Sequence, residues 1–477
     1  MSPPKNKEWK PAAADAPDVQ GIVISAYPNM LNAAFLMVQF GPTPADVGSG
    51  AKAWLLDVAK RITNAEGERS PCINLALSAA GLRALGLDDK VMSTFSRPFR
   101  EGITFGNRPR FLGDIAGQAP SNWEWSDCPS AATCIHAQLM LYARDLPEIR
   151  TLTAEEKQGL AHFGLVLVGE LCQQVNLDSQ GMRHEHFGFA DGISQPVLVD
   201  GDAVPVERRA IHEIAAGEVV LGQTNTYGVP APGPVVAASD LASRQLKEAL
   251  LEGFFDLGRN GTYLVIRQLE QDVPAFWQNM ESAKIDLCDE KGNPATDQWL
   301  AEKAVGRTLS GELLTAEGTS ADNERGFFGT DRAGYGCPIT SHIRRANPRD
   351  GLAPKQTDVV DILQATNRHR IMRRGRIYGE PILDRSTPDN KKRGLIFACL
   401  NTEIDRQFEF VQHTWLLNPM FGGAFDESDP LVGPQCPFSI PANPVRQRPI
   451  LETFITVIGG GYFFLPSLSA LRYIGQL

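Results

Sequence analysis

The stretch from Gly261 to Lys284, GTYLVIRQLEQDVPAFWQNMESAK, changes character once along its length. Its first part, GTYLVIRQL, is rich in β-branched and aromatic residues and reads as a strand. Its second part, DVPAFWQNMESAK, reads as a helix. The same grammar returns downstream: GLIFACLN reads as a strand, TEIDRQFEFVQHTWLL as a helix, and FITVIGGGYFFLPS as a hairpin turning on Gly459–Gly461. The first half carries a matching series. VQGIVISAYP and AAFLMVQF read as strands, DVGSGAKAWLLDVAKRI and NLALSAAGLRALGL as helices, and CIHAQLMLYA as a strand. A helix around TAEEKQGLAHF and the segment GLVLVGEL complete it. Strands and helices alternate in both halves, yet the short strand pairs require antiparallel partners as well as crossovers. Two α+β units of the split βαβ type fit this better than one doubly wound parallel sheet. Between Val199 and about Ala238 the chain turns to glycine, proline and short polar residues, which reads as a long inter-domain or binding loop.

With 477 residues there is room for two or three domains with full cores. Apolar residues make up 43% and charged residues 21%, the balance of a soluble globular protein. A net charge of −10 disfavours nucleic acid or an acidic membrane surface as a general partner. The opening MSPPKNKEWKPAAADAPDVQ has lysines but no apolar core segment or small-residue cleavage site. It reads as a disordered leader over residues 1–17 rather than a secretory signal. No run reaches the roughly 18 apolar residues of a membrane span. Eight scattered cysteines, none in a CxxC pair, read as reduced, mostly buried thiols. A cytoplasmic location is expected.

Several chemistries lose ground for want of their motifs. GxxxxGK[ST], HExxH and GxSxG are all missing, and Gly459–Gly461 lie between two strands rather than between a strand and a helix. What remains is concentrated in three segments. HEHFGFADGISQP, His184–Pro196, ends an aromatic run in an acid, Asp191, followed at once by Gly192. An acid so placed is paired, solvated or held for proton transfer. His184 and His186 alternate around Glu185, a spacing open to a metal pair but better read as ordinary polar residues without further ligands nearby. In GYGCPITSHIRRANPRDG, His342 lies beside Arg344, Arg345 and Arg349. Neighbouring cations discourage its protonation, and a neutral imidazole is what a metal needs. Guanidiniums suit carboxylates, and haem combines an iron with two of them; a basic surface loop is the plainer alternative. In NRHRIMRRGRIYGEP, five arginines crowd nine residues. On a strand, Ile371 and Arg373 point one way and Met372 and Arg374 the other. An inward arginine there needs an acceptor.

These segments together resemble the dye-decolorizing peroxidase family. Gly188-Phe189-Ala190-Asp191-Gly192 is similar to that family's GxxDG motif, CPITSHIRRANPR to its haem-ligand segment, and IMRRGRIYG to the strand with its active-site arginine. GTYLVIRQLEQDVPAFW, GLIFACLNTEIDRQFEFVQ and FITVIGGGYFFLPS resemble further family segments. The resemblance runs from about residue 18 to the end, in the family's order, and its extended loops are closer to the larger subgroup.

The resemblance implies two ferredoxin-like domains, 18–205 carrying GxxDG and 206–477 carrying most of the haem site, in an arrangement like a dimeric α+β barrel. It implies one haem b per chain with His342 as the proximal iron ligand, Arg349 on a propionate, and Gly192 and Ile193 against the cofactor. Asp191 and Arg373 are implied on the distal face, Asp191 moving a proton of hydrogen peroxide and Arg373 stabilising developing negative charge. Asp405, Glu409 and Asp429 are candidates for the acid behind His342. The implied activity is oxidation of aromatic substrates, dyes among them, by peroxide through a ferryl porphyrin radical, in a monomer or homodimer. Surface tryptophans or tyrosines would relay electrons from bulky substrates. Two other readings stand beside it: a haem enzyme with oxygenase or iron-release activity, and a haem-binding or sensing module without turnover. Asp191 counts against the last, since binding alone does not need it. Nothing after SLSALRYIGQL suggests a tail for docking inside a protein shell.

Overall fold

In the computed structural model, residues 6–41, 49–127, 134–204, 208–238 and 241–477 are described. One sheet dominates. Its strands in chain order are β1 (Asn32–Gln39), β2 (Cys72–Leu77), β3 (Trp125–Ser126), β4 (Ala137–Ala143), β5 (Val166–Gln174), β6 (Thr262–Gln271), β7 (Met372–Arg373), β8 (Arg376–Tyr378), β9 (Gly394–Asn401) and β10 (Ile455–Leu465). In space they run β6-β9-β8-β5-β1-β4-β2-β10, and β10 pairs back onto β6, so the sheet closes into a ring. Within it, β5-β1-β4-β2 and β10-β6-β9-β8 each place their four strands in the order fourth, first, third, second. Both halves are therefore ferredoxin-like, as expected from the split βαβ reading. Pairing inside each half is long, with ten residue pairs between β6 and β10. Between halves it is narrow: Ile377 opposite Gln174, Leu77 opposite Phe464, and the two residues of β3 beside Gly459 and Gly460.

β1 is buried along its whole length, and its alternate residues pack into two different cores. Ala33, Phe35 and Met37 join Leu264, Ile266, Ala398 and Phe463 inside the ring. Ala34, Leu36 and Val38 face the outer helices, α1 (Ser49–Ala59), α2 (Leu146–His162) and the C-terminal Leu468–Gly475. After β6, Asp272 accepts a hydrogen bond from Ala275 N at 3.0 Å and Pro274 fills the first turn, which starts α3 (Val273–Ala283) where the sequence places it. After β9 the helix widens: Glu409 N bonds Ile404 O and Leu417 N bonds Gln412 O, five residues back, over Asp405–Glu409 and Val411–Leu416.

Some expectations fail for identifiable reasons. FITVIGGGYFFLPS is not a hairpin, because β10 runs straight through its glycines. A Cβ on Gly459 would lie 2.3 Å from Trp125 Nε1 and one on Gly461 2.9 Å from Asp127 Cβ, so these glycines admit β3 and the segment after it. VQGIVISAYP is no strand. Gln20 turns inward to bond the backbone of Leu75 and Pro466, and Gly21–Val23 form a helical turn. NLALSAAGLRALGL divides into the end of β2 and a short helix, Ala79–Ala84, capped by Ser78. Residues 6–17 are not a disordered leader: Trp9 N bonds Leu198 O at 2.7 Å and Asn6 N bonds Glu213 Oε1 at 2.7 Å. Residues 1–5 and the domain boundary expected at 205/206 lie outside the described residues. Cys134 is disulfide-bonded, contrary to the expectation of reduced thiols throughout, while Cys72, Cys172, Cys288, Cys337, Cys399 and Cys436 are free; Cys128 is outside the described residues. Glu213–Leu221, within the expected inter-domain or binding loop, is buried and includes a short strand, Glu213–Ala215, paired with Val197–Val199. Among the described residues, no helix is long and apolar enough to cross a membrane.

Candidate active site

A cavity of about 300 Å³ lies on the outer face of the second half, against Arg267 and Leu269 of β6, Leu395 and Phe397 of β9 and Val457 of β10. Asp191, Gly192, Ile193, His342 and Arg373, far apart in sequence, share its wall. His342, Ile343 and Ala346 reach it from the short helix α4 (His342–Ala346), while the wide-turned segment after β9 contributes Phe408, Val411 and Leu416.

The turn carrying Asp191 is built by Glu185. Its buried carboxylate accepts from Phe187 N at 2.9 Å, Phe189 N at 2.8 Å and Gln271 Nε2 at 2.6 Å. Burial, with Asp191 adding to it, outweighs these bonds and holds Glu185 above the usual carboxylate range. Gly192 has φ +81°, and a Cβ there would meet nothing within 4 Å, so conformation rather than space demands glycine. Its N–H bonds Asp191 Oδ1 at 2.6 Å. Arg373 donates to the same oxygen through Nη1 at 3.1 Å, and its backbone N–H is held by Gln195 Oε1 at 3.1 Å. The strand alternation is as the sequence suggests. Ile371 and Arg373 line the cavity, whereas Arg374 points to the ring interior and bonds Ile22 O and Val23 O. A second, smaller cavity of about 130 Å³ adjoins the first and shares Asp191, Gly192 and Arg373 as wall.

His342 Nδ1 lies 2.9 Å from Asp429 Oδ2 and 3.1 Å from Oδ1. Asp429 is fully buried and also accepts from Leu431 N at 2.9 Å and Val432 N at 3.0 Å. Burial opposes its charge, but the imidazole and these amides prevail and hold it below the usual carboxylate range. Burial likewise opposes charging of His342, yet Asp429 more than offsets this and raises its pKa. The expectation that neighbouring arginines discourage its protonation is thus corrected. Arg344 turns away to Asp331 O and Cys337 O, and Arg345 to Thr340, Trp415, Leu416, Asn418 and Glu427 carbonyls. With Nδ1 committed to a carboxylate, Nε2 is the nitrogen left for the cavity.

No protein-family model matches the chain. It is 28% identical over 442 residues to the dye-decolorizing peroxidase of Mycetinis scorodonius, covering 84% of this chain and 76% of that protein. To the multifunctional dye peroxidase of Amycolatopsis sp. it is 28% identical over 437 residues, covering 87% and 84%. Among solved structures, a DyP-type peroxidase of Anabaena sp. superposes with a TM-score of 0.76 at 23% identity, over 96% of this chain and 94% of that one. A fungal DyP-type peroxidase of Auricularia auricula-judae gives 0.73 at 23%, over 97% and 99%. The chain is thus similar over most of its length to dye-decolorizing peroxidases and shares the fold of DyP-type structures.

Arg349 is the expected cofactor-binding residue that is not on the cavity wall. Its backbone sits at φ +54°, and its guanidinium lies 5.2 Å from the Phe327 ring and donates to Arg325 O. Arg307 and Arg370 occupy the wall instead. Sequence reading missed Arg307, which lies in no quoted motif, and counted Arg370 only as one of five. Of the candidates behind His342, Asp429 is the partner; Glu409 bonds Arg108 and Tyr462. His184 bonds Gly188 O and Asp178, and His186 bonds Tyr378 O, so they form no metal pair.

The fit to haem can be tested on the wall itself. A histidine with a carboxylate behind it suits an iron, buried guanidiniums suit carboxylates, and residues such as Phe187, Ile193, Leu269, Phe397 and Leu416 give the wall an apolar part. Arg307 Nη2 and Asn347 Oδ1 are buried without partners on this wall. The residues present fit the group.

Proposed function

We propose that this chain binds one haem b in the 300 Å³ cavity and uses hydrogen peroxide to oxidise aromatic molecules, dyes among them. The observation that carries the reading is the shared wall: a carboxylate-backed histidine and an acid–arginine pair line one cavity. The relatives' names support it. One structural neighbour was solved with 2,6-dimethoxyphenol, an aromatic of the expected kind. Bound haem supplies the two-electron reduction of peroxide and the one-electron oxidation of reductants. His342 would hold it through Nε2, and Gly192 and Ile193 would lie against it.

The chain's own residues divide the remaining work. Asp191 Oδ1 is occupied by Gly192 N–H and Arg373 Nη1. Oδ2, with no bonded partner among the described residues, is the atom that takes a proton from peroxide and returns it to the departing oxygen. Arg373 keeps the carboxylate in place and stabilises charge on that oxygen, an effect of about 3 kcal/mol for a well-placed donor. Asp429 fixes the His342 tautomer and raises the basicity of Nε2. The smaller cavity also borders the acid–arginine pair, with Arg183, His184 and Gln195 in its wall, and offers a second route for a small oxidant.

The test is the visible spectrum of hemin-reconstituted protein before and after one equivalent of peroxide, followed by a phenolic reductant. A Soret band that shifts with peroxide and recovers with the reductant is expected. Asp191→Asn should keep the band and slow the shift about 10²- to 10⁴-fold. A Soret band unmoved by peroxide would leave only a haem-binding module, and no band at all would refute the cofactor assignment.

A further inference from the structure

His369 shares the cavity wall with His342, and the peroxide chemistry leaves it unused. It follows the helix Val359–Asn367, and its ring is held on three sides. Nδ1 lies 2.5 Å from Arg406 O, Phe410 stacks on the ring at 3.7 Å between centres, and Trp415 stands nearly perpendicular to it at 5.2 Å. All three partners come from the wide-turned segment after β9, which also gives the cavity Phe408, Val411 and Leu416.

A carbonyl can only accept, so Nδ1 carries the proton and Nε2 a lone pair. Nε2 has no bonded partner among the described residues, and it is the nitrogen left for the cavity. Burial holds the ring below the ordinary histidine value, and Arg406 and Arg368 add to this. The bond to the Arg406 carbonyl opposes them without prevailing. The imidazole is therefore neutral at pH 7. That decides what it can take. A carboxylate offers an acceptor no hydrogen, whereas a phenolic hydroxyl does. As an iron ligand His369 is the poorer of the two histidines, because a neutral carbonyl stands behind it where His342 has the Asp429 carboxylate.

We propose that His369 Nε2 binds the hydroxyl of a phenolic reductant in the cavity and takes its proton as the electron leaves. This deepens the peroxidase reading above and rests on it. The phenol O–H bond breaks, its electron passes to the peroxide-oxidised cofactor, and its proton forms an N–H bond at Nε2. A phenoxyl radical and an imidazolium result. Arg368 and Arg406 disfavour that second positive charge, so the proton is passed on rather than kept. Over a full cycle one peroxide and two phenols give two phenoxyl radicals and two waters.

Hemin-loaded resting protein is titrated calorimetrically with 4-methylphenol and with its methyl ether, for the parent chain, His369→Leu and His369→Gln, and the Soret band of each is recorded. The parent should bind the phenol about 3- to 10-fold more tightly than the ether, the range of one net hydrogen bond. His369→Leu should erase that preference with ether binding nearly unchanged, and His369→Gln, whose amide oxygen still accepts, should keep part of it. With peroxide, kcat/KM for the phenol should fall about 10²-fold or more in His369→Leu. Ferrocyanide, which gives up an electron without a proton, should be oxidised at the parental rate. A preference that survives in His369→Leu, or an equal loss of both donors, overturns the proposal. So does a low-spin resting Soret band that turns high-spin in His369→Gln, since His369 would then be an iron ligand. A parent that oxidises ferrocyanide but shows no preference for the phenol brings down this proposal alone, and one that oxidises neither donor brings down the peroxidase reading with it.

Discussion

Asp429 shows how much one buried acid can determine. Both of its oxygens lie within hydrogen-bond distance of His342 Nδ1, and Oδ1 also accepts from two backbone amides, so the imidazole is left a single nitrogen for the cavity. Asp429→Asn keeps the shape and removes the charge. Hemin affinity should fall about 10- to 100-fold, the usual cost of losing such a partner, measured as hemin transfer to a scavenging apoprotein. The sequence offered three acids for this place and could not choose, because residues 342 and 429 meet only through the fold. Asp191 and Arg373 were legible because each stands in a short local pattern, a glycine-flanked acid and a strand of alternating arginines. Arg307 was not. It has no pattern of its own, and its significance comes from an unpartnered nitrogen that no string of letters displays.

At the scale of single elements, β10 is the clearest case of one sequence feature with two readings. Three successive glycines are the ordinary mark of a turn, yet here they are a stretch of strand, just past a register shift at Ile458, on which β3 lies. Gly459→Ala should therefore destabilise the protein by about 1–3 kcal/mol, as an overpacked core does, seen as a lower midpoint in thermal unfolding. Trp125→Ala in the same chain should recover part of the loss, because the clash is with that indole. No recovery would mean that the glycines answer to some other constraint. Elsewhere the element grammar was readable wherever the apolar pattern was long, as in β6 followed by α3. It failed where a polar side chain was drawn inward, as Gln20 is, since propensity does not register a glutamine recruited to bond a neighbouring backbone.

Across the whole molecule, the sequence displayed the repetition of two α+β units but not their closure into a ring, which depends on pairs hundreds of residues apart. Acid should be the protein's weakness. His136 is pushed down to about 4 by burial, and His212 to about 2 by burial and then by the arginines around it. Burial lowers His186 and His369 as well. In the unfolded chain each takes up a proton near 6.5 that the folded state refuses, so stability falls as pH drops below that value. The slope is ~1.4 kcal/mol per pH unit for each histidine, persisting to about 4 for His136 and further for His212. His342 has the opposite sign. Its raised pKa adds stability below about 6.5 that is lost as pH rises through the folded value, but four lowered histidines outnumber it. Urea unfolding of the apoprotein at pH 7, 6 and 5 should show a declining midpoint, and a flat profile would contradict it.

The narrow joins between the two halves bear on how the ring opens. Ten residue pairs bind β6 to β10, whereas the joins between the halves are two single pairs, Ile377 with Gln174 and Leu77 with Phe464, and the short ladder of β3 on β10. Each half is expected to open as its own unit in local unfolding, with the joins as the lines of least protection. In deuterium exchange, amides beside those two pairs should label well before the centre of β6. Residues 174 and 377 also border the smaller cavity at the acid–arginine pair, so opening along that line would pass through the site. A ligand that rests on both halves would slow the labelling there, and its own departure would be timed by the same opening.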